Sequence, residues 1–192
     1  MSWGTNLAAT TPKTTTAAME PGSASTIMGY AGICPPDLQN NSDPYFHAIS
    51  QEEMIEHTIF GGGNTCATII PTGNTPPVVE AGENGLFLPV STPFELTGTA
   101  TDLEGDSLTY CWEQFDLGPS APPNNPEGNS PIFRSFEPTT DSTRVFPRLQ
   151  DLVANTTTIG EYLPNYNRGL RFRLTVRDNH GFGTGISFDD RT

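Results

Sequence analysis

Positive charge is scarce in this chain. Nine Lys and Arg stand against 22 Asp and Glu over 192 residues, a formal net charge of -13. Nucleic acid and anionic membranes are bound through basic footprints, so this balance argues against both as partners. Long apolar runs are missing too, and no stretch approaches the roughly 20 residues that a membrane-spanning helix needs. Only three histidines are present, His47, His57 and His180, and no two have the i, i+4 spacing that puts two metal ligands on one helix face. The three cysteines, Cys34, Cys66 and Cys111, have no zinc-finger spacing. The opening Met1-Ser-Trp-Gly-Thr-Asn6 has neither the charged nor the apolar region of a signal peptide.

What is abundant points to strands and turns. There are 19 Gly and 18 Pro, hydrophobic residues make up 34% and charged residues only 16%, so polarity comes from Thr, Ser, Asn and Gly. Such a surface suits a secreted protein, whose export signal is then expected upstream of Met1. The first nineteen residues read as loop. Ser50-Gln-Glu-Glu53 is a capping-box pattern and predicts a helix with Ser50 as N-cap. Met54, Ile55, Ile59 and Phe60 form its apolar side, Glu52, Glu53 and Glu56 a solvated acidic face, and Gly61–Gly63 stops it. His47 precedes the cap, and His57 sits in the last turn, where a cation suits the helix dipole.

Residues 71–79, with Pro76-Pro77, read as a stiff linker between a first region, 1–72, and a second, 73–192. Beyond it the period changes to two. Phe94–Ala100, Leu108–Phe115 and Phe172–Val176 predict strands, with Trp112 as a core anchor. In the last, Phe172, Leu174 and Val176 face one way and Arg171, Arg173 and Thr175 the other. Gly118 to Pro131 reads as a long surface loop, and Leu149 to Ala154 as a helical turn. The fold class expected is mostly β, an antiparallel sandwich preceded by an irregular region with one helix.

The stretch Glu20-Pro-Gly-Ser-Ala-Ser-Thr-Ile-Met-Gly-Tyr-Ala-Gly-Ile-Cys34 is a tight, glycine-punctuated apolar turn. Met28, between Ile27 and Gly29, reads as an adaptable side chain set beneath something. A core turn with no chemistry is the plainer reading. Ser25-Thr-Ile-Met-Gly-Tyr30 resembles the Met-turn of the metzincin zinc endopeptidases, the apolar floor beneath a three-histidine zinc site. Extended through Ala18–Cys34 and Ser42-Asp-Pro-Tyr-Phe-His47, the match is similar to the secreted reprolysin-like metallopeptidases of bacteria. The resemblance implies peptide-bond hydrolysis in the parent protease, a protein or peptide substrate, Met28 as the active-site floor and Tyr30 in a zinc-binding or oxyanion role. The H-E-x-x-H-x-x-G-x-x-H motif that supplies zinc ligands and general base is not in this sequence. The chain is therefore expected to be the C-terminal part of such a protease and inactive alone, with residues 1–72 irregular or leaning on the sandwich.

Residues 76–192 resemble an immunoglobulin-like domain of the PKD or cadherin-like kind. Its sharpest chemistry is Asp102-Leu-Glu-Gly-Asp106, alternate acidic residues around a Gly turn, a pattern that offers oxygen ligands to calcium. Asp178, in the hairpin expected at the same end, is a candidate to join Asp102, Glu104 and Asp106. The alternative is that Asp102 and Asp106 only cap turns. Cys34 pairs either with Cys66 or with a cysteine upstream, and Cys111 reads as a buried thiol. Tyr162 and Tyr166 either stack on sugars or pack at the rim. Three function classes stay open: part of a zinc endopeptidase, an adhesion or carbohydrate-binding module, and a calcium-stiffened spacer.

Overall fold

The computed structural model describes residues 18–33, 35–65 and 67–192. The pairing of Cys34 and Cys66 and the character of residues 1–17 lie outside the described residues. Strands arranged in antiparallel sheets dominate, and among the described residues no helix is long and apolar enough to cross a membrane. In chain order the elements are helix α1 (Ala48–Ile55), strands β1 (Val78–Glu80), β2 (Phe94–Thr97), β3 (Thr99–Thr101), β4 (Thr109–Gln114) and β5 (Thr143–Phe146), helix α2 (Leu149–Ala154), and strands β6 (Phe172–Arg177) and β7 (Ile186–Arg191). β4, β6 and β7 form one sheet with β6 central, β2 pairs with β5, and β1 with β3.

The expected strand over 94–100 is split at Gly98 between two sheets. β2 lies against β5, with Phe94 opposite Phe146, whereas β3 lies against β1, with Ala100 opposite Val79. Gly98 sits where the chain passes from one to the other. A Cβ there would lie 2.2 Å from the Leu174 side chain and 3.3 Å from the Trp112 ring, so only glycine permits the close approach. β1 also begins inside the predicted linker, because Val78 and Val79 find a partner in β3.

Leu96, Trp112, Phe133, Phe146, Phe172, Leu174 and Val176 make one buried core, with Phe94 packed on its edge. Trp112 is the anchor the sequence suggests, and its indole N–H donates to the Ser142 carbonyl at 3.0 Å. β6 alternates as expected, but its second face is not solvated: Arg173 and Thr175 are buried as fully as Phe172 and Leu174. The 18–60 region covers part of that sheet face. Ala18 bridges to Gly118, Met19 and Ala48 pack on Phe115, and Arg173 reaches Glu52 of α1 at 2.9 Å. Glu52 is thus an ion-pair partner and not simply part of a solvated acidic face.

The start of α1 also departs from the sequence expectation. His47, not Ser50, is the N-cap, and its Nδ1 accepts the Ile49 N–H at 3.3 Å. Ser50 is buried within the first turn. The helix begins three residues early because Ala48 N–H already has an acceptor, Glu113 Oε2 at 2.9 Å, supplied from β4. A π-turn, Glu56–Phe60, follows α1 and ends at Gly61, and α2 falls where the helical turn was predicted.

Candidate functional site

The glycine-punctuated turn is built around a buried carboxylate. Glu20 accepts the Ser25 N–H at 3.0 Å, the Ser25 hydroxyl at 3.4 Å and the Thr26 hydroxyl at 2.6 Å. Backbone bonds close the loop: Gly29 N–H to Thr26 O at 2.9 Å, Tyr30 N–H to Ser23 O at 2.9 Å and Ile27 N–H to Tyr45 O at 3.0 Å. Gly29 is required by space rather than by φ, since a Cβ there would stand 2.5 Å from the Ala24 methyl. Nothing local in the sequence marks Glu20 as the organising residue. A buried acid needs donors, and Ser25 and Thr26, five and six residues on, are the signal that was available.

This framework is rigid beneath and open above. Met28 is 38% exposed and Tyr30 43%, with Ile27 and Ile33 exposed beside them. The Tyr30 hydroxyl has no hydrogen-bond partner among the described residues. Met28, expected to lie beneath another group, has an open face.

The three histidines do not converge. His47 is buried, stacked on Phe115 with ring centroids 6.4 Å apart, and its Nε2 lies 3.7 Å from Glu113 Oε1. His57 is in the exposed π-turn, and His180 pairs with Asp106. Among the described residues no group of three or more His, Cys, Asp or Glu could hold a metal ion. The residues present do not fit a catalytic zinc, which needs three protein ligands and an open position.

The acidic loop and Asp178 both reach His180 at one end of the β region. Asp102 Oδ1 accepts the Asp106 N–H at 2.8 Å, the turn-capping role, with Gly105 at φ 81° completing the turn. Asp106 Oδ2 lies 2.8 Å from His180 Nδ1. Glu104 accepts from the Thr75 hydroxyl at 2.9 Å, and Asp178 from His180 N–H, Gly185 N–H and Asn74 Nδ2. Two acceptors here, Asp102 Oδ2 and Asn74 Oδ1, are buried without a donor. Asp102, Glu104, Asp106 and Asp178 are nevertheless not gathered into a group that could hold a metal ion among the described residues.

The hydrogen bond to Asp106 holds the His180 imidazole above its usual range. A raised folded value favours folding below the unfolded value and loses that contribution as pH rises through the folded one. Melting temperature is therefore expected to fall by a small step as pH rises through and above the ordinary imidazole range, and the step should vanish in Asp106→Asn. Calcium at this end would have to take Asp106 from His180. It would raise the melting temperature and remove the step, and a melt unmoved by calcium dissociates this loop from the ion.

Of the tyrosines suggested for sugar stacking, Tyr162 and Tyr166 are both partly buried, and Tyr166 donates its hydroxyl to Gly128 O at 2.7 Å. Cys111 is a buried free thiol, donating to Phe136 O at 3.3 Å, and burial holds its thiol well above the usual range. No protein-family model, curated protein or solved structure matches the chain.

Proposed function

We propose that residues 18–60 are the Met-turn subdomain of a secreted zinc metalloendopeptidase, and that the β region is its immunoglobulin-like accessory domain. The observation that carries this reading is the coincidence of one sequence stretch with one structural unit. The residues that resemble the metzincin pattern, Ala18–Ile33 with Ser42–His47, are those held together by Glu20 and the Tyr45 carbonyl. They present Met28 and Tyr30 on the open side. An apolar floor with a phenol at its edge is what a Met-turn offers to a metal site assembled above it.

The zinc ligands are not among this chain's histidines, so no catalytic step is assigned to it. Its contribution is a floor and, through Tyr30, a hydrogen-bond donor for a peptide carbonyl. The purified 192-residue chain supplied with zinc should not cleave casein. A longer product of the same reading frame, carrying H-E-x-x-H-x-x-G-x-x-H ahead of the Met-turn, should cleave it and lose activity to a zinc chelator. A reading frame without that motif, or cleavage by the chain alone, overturns the assignment.

A further inference from the structure

We propose that Glu113 is the positioning residue through which the β region sets the Met-turn segment. The meaning of this coupling rests on the reading of 18–60 given above, but its geometry does not. Glu113 is the penultimate residue of β4, beside Trp112 but facing away from the aromatic core, and is fully buried. A buried carboxylate persists only where donors surround it. Its donors come from two places. Oε2 takes the first N–H of α1, from Ala48 at 2.9 Å, and Oε1 takes the Ser135 hydroxyl. His47 Nε2 stands beside Oε1 at 3.7 Å.

From there the connection runs to the turn itself. The Ser135 carbonyl accepts the Ser25 hydroxyl at 3.3 Å, and Ser25 shares the Glu20 carboxylate with Thr26, one residue before Ile27 and two before Met28. Two buried acids, Glu113 on the β side and Glu20 on the turn side, are therefore joined through Ser135 and Ser25. The Ile27 N–H to Tyr45 O bond closes the circuit, since Tyr45 leads through Phe46 and His47 to the helix start at Ala48.

Other contacts between the two regions are less able to fix the turn. The cluster of Met19, Ala48 and Phe115 is small, and apolar burial is non-directional. The Arg173–Glu52 pair lies further along α1, with Glu52 partly exposed to screening solvent. Gln39 reaches Arg134 from the loop beyond the turn. Glu113 combines burial, direction and a link to both ends of the segment.

The test uses the full chain labelled at its methionine methyls, of which there are four. Glu113→Leu keeps the volume and removes the acceptors. The Met28 resonance is expected to shift and broaden, and cleavage within 18–60 by a non-specific protease to rise about tenfold or more, while Trp112 emission stays native. Glu113→Gln keeps an oxygen for the Ala48 N–H and an N–H for Ser135 Oγ, so it should return most of the wild-type spectrum. Volume alone would be served equally well by Leu. Should Glu113→Leu unfold the β region, Ser25→Val breaks the relay from the turn side and should move the same Met28 signal. An unmoved Met28 resonance in a folded Glu113→Leu or in Ser25→Val, or a Gln variant as displaced as Leu, overturns the proposal. No proteolytic activity is read, so failure here and failure of the casein test are separate results.

Discussion

Phe146→Ala should remove a large share of the chain's stability. Phe146 is fully buried, and its ring centroid lies 5.1 Å from Phe94, 5.1 Å from Phe133 and 4.7 Å from Phe172. Truncation removes the shared member of four mutually packed rings. The rings come from β2, from the 131–136 segment, from β5 and from the start of β6, so the cavity cannot close without moving separate elements together. Phe→Ala at such sites costs about 3–5 kcal/mol, against a total stability of about 5–15 kcal/mol for a domain. Urea denaturation followed by Trp fluorescence should show a midpoint lower by about 1 M or more. Phe60→Ala is the control: Phe60 is 82% exposed, and its loss should change stability by less than about 0.5 kcal/mol. A Phe146→Ala midpoint near that of Phe60→Ala would show that the four-ring cluster is not the core.

The second large effect concerns a charge inside the same region. Glu161 is almost wholly buried, accepts Arg144 at 2.8 Å and the Arg148 N–H at 3.0 Å, and sits opposite Phe133 in an isolated bridge. Arg144 in turn lies over the Phe136 and Phe146 rings, 4.9 and 4.3 Å from their centroids, and donates to the Trp112 and Arg134 carbonyls. Removing Glu161 alone leaves that largely buried guanidinium without its carboxylate. Glu161→Leu is therefore expected to cost about 3–5 kcal/mol.

The pair itself is not expected to add much net stability. Burial pushes the Glu161 carboxyl above its usual range, and Arg144 offsets this only in part. Arg144→Met with Glu161→Leu should consequently be more stable than Glu161→Leu alone, by about 1 kcal/mol or more in a double-mutant cycle. A double variant no better than the single one would mean that both ends of the pair are held by other partners. Thermal melts of the three proteins decide between these outcomes.

Much of the β region was legible from residue order. Period-two alternation located β4 and β6 to within a residue or two, and Phe172, Leu174 and Val176 do point into the core. β5 and β7 were not read. Thr143-Arg-Val-Phe146 is short and carries an arginine, and Ile186–Arg191 ends in Asp189-Asp190-Arg191, charges that resemble a solvated loop until Arg173 is found opposite Asp190. Ser50-Gln-Glu-Glu53 satisfied a local capping rule, but the helix starts earlier because a distant carboxylate had claimed the Ala48 N–H. The turn over 20–34 was legible as a glycine-punctuated unit, and a lean of 1–72 on the β region was expected, but not the residues that make it.

The division follows the range of the forces involved. Alternation, the α2 turn and the glycines of the tight loop depend on sterics between near neighbours, so the sequence alone determined them. Which carboxylates are buried, which N–H each one takes and whether a strand's second face meets water depend on groups far apart in the chain. Ala48 and Glu113 are 65 residues apart, and Ser25 and Ser135 are 110 apart. No window of the sequence contains both members of such a pair. A buried acid is tolerated only where the fold brings donors to it, so the tertiary structure alone decided that Glu113 and Glu161 would be interior residues, whereas the donors of Glu20 lie five and six residues along the chain.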